Sequence, residues 1–189
     1  MKLILKKIVF YPALSCVFFL FFQPYTATAG ELSLSWGEGS SRYSFRVGGE
    51  KTPDAIRLAY IHPSDWKWDF ATDHTLRLEF EFGVHHWKDS FLEKPKNGVV
   101  VNPMWRYYIP SFEQELYFGV GIGLAYTNSD RWMDRQLGAR LLFEDKFEVG
   151  VKLFKRHRLS FSLNHYSNAQ LADINHGANI YYFNYAYQL

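Results

Sequence analysis

The chain has 189 residues, with 21 basic and 19 acidic side chains, a formal net charge of +2 and one cysteine. So even a balance excludes the strong electrostatic attraction that nucleic-acid binding uses, and a lone cysteine excludes an internal disulfide framework. Aromatic residues make up 19% of the chain while its mean hydropathy is only −0.23, a pairing that suits a membrane barrel with aromatic girdles and a polar lumen.

The N-terminus reads as an export signal. Met1 to Lys7 is a positive segment, Ile8 to Phe22 an apolar run, Pro24 a break, and Ala27-Thr28-Ala29 a small-x-small cleavage pattern. A run of about 15 residues is short for a retained spanning helix. Cys16 lies inside the run with poor flanks for a lipoprotein box. The expectation is a signal peptide over 1–29 and one mature domain over 30–189, free of cysteine.

Beyond this point no apolar run is long enough for a membrane helix. What recurs is period-two alternation, the mark of a strand with two unlike faces. Leu32-Ser33-Leu34-Ser35-Trp36 alternates as a preliminary strand or an extension of the first, which is read at Tyr43-Phe45-Val47. Ile56-Leu58-Tyr60 gives the second. Leu76, Leu78, Phe80, Phe82 and Val84 oppose Arg77, Glu79 and Glu81. Val99, Val101, Trp105, Tyr107 and Ile109 oppose Asn102 and Arg106. Leu116 to Tyr126 alternates with Gly119, Gly121, Gly123 and Ala125. Phe147 to Leu153, Leu159 to Leu163 and Tyr181 to Leu189 complete eight strands. Gly48-Gly49, His62-Pro63-Ser64-Asp65, Lys94 to Gly98 and Thr127 to Asp130 read as breakers. Leu137 to Leu153 keeps one parity too long, with Asp145-Lys146 in its middle, and is read as partly projecting above the membrane.

An even set of antiparallel strands closes without an edge, so the expected fold is all-β, an eight-stranded antiparallel transmembrane barrel of the bacterial outer membrane. A soluble lipocalin-like barrel would turn its apolar face inward. Against it stand the charged polar face and the last strand, aromatic at every second position up to Leu189.

In such a barrel both termini face the periplasm, so the seventh strand ends at the cell surface. Its apolar face runs Leu159, Phe161, Leu163 and then His165 and Ser167. Two polar groups on a lipid-facing wall cost free energy unless they are used; the plain alternative is a strand leaving the membrane into its loop. Spacing i, i+2 puts both on one face with Cα atoms roughly 6–7 Å apart, within reach for a His to act as general base on a Ser. Asn179 shares that end and that face, and its amide oxygen suits the second ring N–H.

His165-Tyr166-Ser167-Asn168-Ala169, followed by Asn175, Gly177 and a final aromatic strand, resembles the PagL family of lipid A 3-O-deacylases. The resemblance is sharpest from about Leu159 to Leu189. It implies Ser167 as nucleophile, His165 as its base, Asn168 in the oxyanion hole, and hydrolysis of the 3-linked acyl ester of lipid A without metal or cofactor. The implied partners are lipid A or lipopolysaccharide and outer-membrane lipids, with a homodimer left open. Where some members carry an acid, this chain has Asn179; Asp173 is a substitute in the same loop.

Other groupings carry less. His85-His86 with His62 or His74 would make a metal site only if adjacent strand residues shared a face, which they do not. Trp66-Lys67-Trp68 and Trp87 read as girdle residues, Glu79 and Glu81 with Arg77 as polar packing, and Lys155-Arg156-His157-Arg158 as a basic periplasmic turn. The rival functions are a non-catalytic structural or adhesive barrel and an acyltransferase, which needs a lipid site inside the barrel, where Gly119, Gly121 and Gly123 leave room.

Overall fold

The computed structural model describes residues 29–40, 54–70, 73–88, 95–111, 114–132 and 135–189. The expected signal peptide lies almost wholly outside these residues, as do Tyr43-Phe45-Val47 and Gly48-Gly49. The strands are β1 (Glu31–Ser40), β2 (Asp54–Asp69), β3 (Thr75–Lys88), β4 (Lys96–Ser111), β5 (Gln114–Thr127), β6 (Arg131–Trp132), β7 (Arg135–Gln136), β8 (Leu141–Leu153), β9 (His157–Ser167) and β10 (Ala178–Gln188). Eight of them close a barrel in the order β1-β10-β9-β8-β5-β4-β3-β2, and β6 with β7 forms a separate small hairpin. All pairings are antiparallel.

The expected eight-stranded fold is therefore present, with two corrections to its strands. The first barrel strand is the Leu32–Trp36 alternation, which pairs with both β2 and β10. The supposed breaker at His62-Pro63-Ser64-Asp65 lies inside β2. There the register with β3 slips between Pro63 and Lys67, a bulge that accommodates a residue unable to donate to the ladder. Ser64 Oγ donates to the Leu78 carbonyl at 2.7 Å and stitches it shut.

The junctions from β2 to β3, β4 to β5 and β8 to β9 are short and gather at one end, with both β1's start and β10's finish. Longer ones, including 128–140 and 168–177, gather at the other. By the usual layout of such barrels the first end is periplasmic and the second extracellular. The 154–156 connection is a tight turn in which Phe154 and Lys155 both take positive φ, at 49° and 62°, and the Arg156 N–H returns to the Leu153 carbonyl.

Along most of their length the barrel strands sort their side chains by parity, β2 beyond its bulge excepted. Leu34, Leu58, Val84, Phe118, Ile122, Phe147, Phe161 and Phe183 stand outward and exposed. An apolar belt of this extent suits hydrocarbon rather than water, which disposes of the lipocalin-like alternative. Trp66 and Trp68 belong to its periplasmic rim, Trp68 resting on Trp105 with ring centres 5.4 Å apart. Trp87 does not. It is fully buried inside the barrel near the extracellular end, packed on Trp132 and Tyr166.

The lumen is filled. Glu31, Glu79, Glu81, Glu144 and Glu148 interlock with Arg57, Arg106, Lys146, Lys152 and Arg158, so five anions face five cations. Arg158, read from sequence as part of a basic turn, is one of these: it bridges Glu79 at 3.0 Å and Glu31 at 2.9 Å. The inward glycines of β5 leave no empty room either. A Cβ at Gly119 would press on Arg106 and Met104, and one at Gly121 on Met104 and Asn102. The glycines exist because those neighbours occupy the space.

Candidate active site

The extracellular end of β9 presents its two faces differently. Asn164, Tyr166 and Asn168 point inward and are buried, while His165 and Ser167 point outward, each half-buried. The inward residues are tied down. Asn164 Nδ2 and the Tyr166 hydroxyl both donate to Glu144 Oε1, at 2.8 and 2.6 Å, and Glu144 is itself held by Arg57 and Asn102. A strand clamped at every inward position fixes the outward ones between them.

Opposite His165 on β10 stands Asn179. His165 Nδ1 and Asn179 Oδ1 are 2.6 Å apart. The amide oxygen only accepts, so Nδ1 carries the hydrogen and Nε2 keeps its lone pair, the form a general base requires. Among the described residues no hydrogen bond joins Ser167 to His165; such bonds often tighten only with substrate in place. Gly177, at φ 60°, lies under the imidazole, and a Cβ there would come within 2.9 Å of His165 Cε1. Close approach and left-handed backbone together demand glycine at this point.

Asn168 opens the loop to β10. Its side-chain amide donates to the carbonyls of Leu137 at 2.8 Å and Ile174 at 2.7 Å, and its backbone N–H donates to Asn175 Oδ1 at 3.1 Å. Ala169 and Gln170 follow at φ 51° and 61°, closed by the Leu171 N–H on the Asn168 carbonyl. Two successive non-glycine residues in this region store strain, which sites tend to concentrate. The β6–β7 hairpin braces the loop. Arg135 Nε donates to the Gly177 carbonyl at 2.7 Å and its terminal nitrogen to that of His176, and Gln136 exchanges bonds with His176.

The structure thus brings His165, Ser167 and Asn179 to one patch of outer wall, with Asn168 beneath it. Asp173 is exposed in the loop and makes no bond to His165. Among the described residues no three His, Cys, Asp or Glu side chains converge on a metal position. His85 points into the lumen against Trp87, His86 points outward to Asn97, and His74 reaches Tyr107. Glu79 and Glu81 are absorbed in the ion network. Asp145, in the middle of the stretch read as partly projecting, sits in β8, outward and in register with His165. Its parity with Phe147 was the available signal.

The family model described as lipid A 3-O-deacylase (PagL) matches residues 54–188. The chain is 26% identical over 164 residues to the lipid A deacylase PagL of Bordetella bronchiseptica, covering 85% of this chain and 84% of that one. It is 26% identical over 157 residues to the lipid A deacylase PagL of Pseudomonas aeruginosa, covering 82% and 84%. Among solved structures it superimposes on the crystal structure of the outer membrane enzyme PagL with a TM-score of 0.72 at 23% identity, over 84% of this chain and 99% of that one.

Proposed function

The chain belongs to the lipid A 3-O-deacylase (PagL) family, and from that premise we propose that it removes the ester-linked acyl chain at the 3-position of lipid A, using Ser167 and His165. It is an outer-membrane barrel, and the substrate's acyl chains lie in the outer leaflet against the same wall that carries both residues. The observation that carries the reading is the 2.6 Å contact from His165 Nδ1 to Asn179, which leaves the Nε2 lone pair for the role of general base.

In this mechanism the Ser167 hydroxyl attacks the ester carbonyl while His165 Nε2 takes its proton. The tetrahedral oxyanion collapses, the sugar oxygen leaves, and the imidazolium returns the proton to it. Water then enters, His165 takes a proton from it, and the acyl-Ser167 ester is cleaved to free fatty acid and Ser167. Oxyanion stabilisation needs donors aimed at the developing charge. Those of Asn168 are already committed within the loop, so its contribution is to hold the loop in place. Asn175 accepts the Asn168 N–H on its Oδ1, which sets its amide beside the residue that follows the nucleophile, and among the described residues its amide protons make no hydrogen bond.

The competing reading is a non-catalytic relative, and the observation behind it is the neutral Asn179 where an acid would offset the imidazolium charge. The two separate in one experiment. Lipid A from cells with and without the gene is compared by mass spectrometry: loss of one 3-linked acyl chain is expected, and the Ser167→Ala protein should restore the full mass. Intact lipid A with the wild-type protein present favours the non-catalytic barrel. Deacylation that survives Ser167→Ala removes Ser167 from the role of nucleophile.

A further inference from the structure

The two ends of β9 are built differently. His165 and Ser167 stand at its extracellular end, while at its periplasmic end the chain turns through Phe154, Lys155 and Arg156 into His157. Of the four basic residues in that stretch, only Arg158 enters the lumen network. Lys155 and Arg156 are exposed, and His157 is half-buried on the outward face. Among the described residues no acid shares this part of the wall. The outward residues there are Val149, Val151 and Leu153 on β8, Tyr185 and Tyr187 on β10, and Leu32 on β1.

The turn itself is strained. Phe154 and Lys155 are its two central residues, at φ 49° and 62°, closed by the Arg156 N–H on the Leu153 carbonyl at 3.2 Å. Glycine and asparagine fill such positions at little cost, and a bulky aromatic there is an outlier. Strain of this kind is retained where side chains are used. Core packing does not account for Phe154, which is 76% exposed. The neighbouring cations are held in place by tyrosines. Arg156 donates to the Tyr187 hydroxyl at 3.3 Å, and His157 Nδ1 lies 3.0 Å from that of Tyr185. The Gln188 N–H, bonded to the Arg156 carbonyl at 2.9 Å, ties the turn to the end of β10. Among the described residues the other guanidinium donors of Arg156 make no hydrogen bond.

We propose that this turn and the foot of β10 bind the phosphate headgroup of an anionic phospholipid in the inner leaflet. Arg156 meets the phosphate with paired N–H donors and Lys155 with a point charge. Tyr185 and Tyr187 lie at headgroup level, as amphipathic rings do at a membrane rim, and Phe154 enters the first acyl methylenes. The ligand is a lipid because the patch is continuous with the lipid-facing wall: Tyr185 and Tyr187 share the outward face of β10 with Phe183. The site also has a consequence for depth. β9 has 11 residues, and a tilted strand of that length rises roughly 25 Å, the height of the apolar band. Holding its foot at the inner phosphates sets how far its other end stands in the outer leaflet.

This inference does not depend on the chemistry assigned to Ser167 and His165. Full-length protein in detergent is offered equal amounts of phosphatidylglycerol and phosphatidylethanolamine, and the lipid it retains is counted by native mass spectrometry. Phosphatidylglycerol should be favoured by about fivefold for each engaged cation, less so at high salt. Lys155→Gln with Arg156→Gln should bring its retention down to that of phosphatidylethanolamine, while Arg156→Lys, which keeps the charge, should lose less than Arg156→Gln. Phe154→Asn separates binding from folding. Asparagine adopts the left-handed region more readily, so the thermal midpoint should hold or rise while retention of both lipids falls.

Equal retention of the two lipids by the wild-type protein would overturn the proposal, as would phosphatidylglycerol held undiminished by the double Gln variant. Inorganic phosphate that displaces phosphatidylglycerol at equal concentration would show a site for a small periplasmic anion, and the membrane assignment would fall.

Discussion

The Tyr166 hydroxyl donates to Glu144 Oε1 at 2.6 Å, so the residue between His165 and Ser167 is anchored inside the barrel while its neighbours face out. Tyr166→Phe removes one donor from a buried carboxylate that keeps Arg57, Asn102 and Asn164. The expected loss is about 1–3 kcal/mol of stability, read as a lowered urea midpoint, with deacylation reduced but present. A wild-type midpoint would mean that the anchor contributes nothing.

Gly177→Ala should damage activity more than stability. The added methyl meets the His165 ring edge at 2.9 Å and must adopt φ near 60°. The backbone cost is about 1–2 kcal/mol, too little to unfold a barrel, whereas the imidazole must shift off its bond to Asn179. Unchanged kcat in a folded Gly177→Ala protein would show that the ring position is not critical.

Arg106 is fully buried and bonds to Glu79, Glu81 and Glu148. Arg106→Met leaves these three carboxylates short of a cation, and removing one partner of a buried ion cluster costs about 3–5 kcal/mol. The loss should appear in denaturant titration of the refolded barrel. A variant as stable as wild type would imply that the cluster can shed charge freely.

Trp132 is fully buried, set on Trp87 with ring centres 5.2 Å apart, and its ring takes the space beside Gly39. Trp132→Ala should cost about 3 kcal/mol. It should also loosen the 168–177 loop through Arg135 and Gln136, so proteolysis within that loop should accelerate and deacylation fall. Equal protease resistance would uncouple the hairpin from the loop.

Much of the fold was legible because parity is an unambiguous signal where apolar and polar residues alternate without interruption. The β5 and β10 alternations needed no correction. Errors arose where a residue's local habit differed from its place. Pro63 reads as a breaker, yet a bulge absorbs it. Trp87 has the chemistry of a girdle residue but the parity of the lumen, beside His85 rather than His86. Arg158 follows three turn-like residues, but as the second residue of β9 it already points inward to Glu79. The first strand was displaced because Gly37 and Gly39 dilute its aromatic character, while Tyr43-Phe45-Val47 looks stronger in isolation.

The site was legible through the same alternation, carried two residues past the apolar stretch to His165 and Ser167. Asn179 followed from its matching parity, and the structure places its oxygen on the ring. Asp145 did not follow. A charge within Phe143–Phe147 looks like an interruption of the wall, and its neighbour Lys146 strengthens that impression. Only the pairing of β8 with β9 shows that Asp145 stands level with His165. Cross-strand register is not written in any single strand.

The filled lumen also constrains traffic. Among the described residues the lumen is packed with interlocked charged side chains, so the barrel interior gives neither reactant of a hydrolysis a route. The acyl ester must drift in sideways through the leaflet, and water must descend from the headgroup layer above. The end of β9, where the apolar wall gives way to the braced loop, is the border between those two supplies. A deacylase of this build works at a shoreline, and its rate depends on how the surrounding lipid lets both sides reach that line.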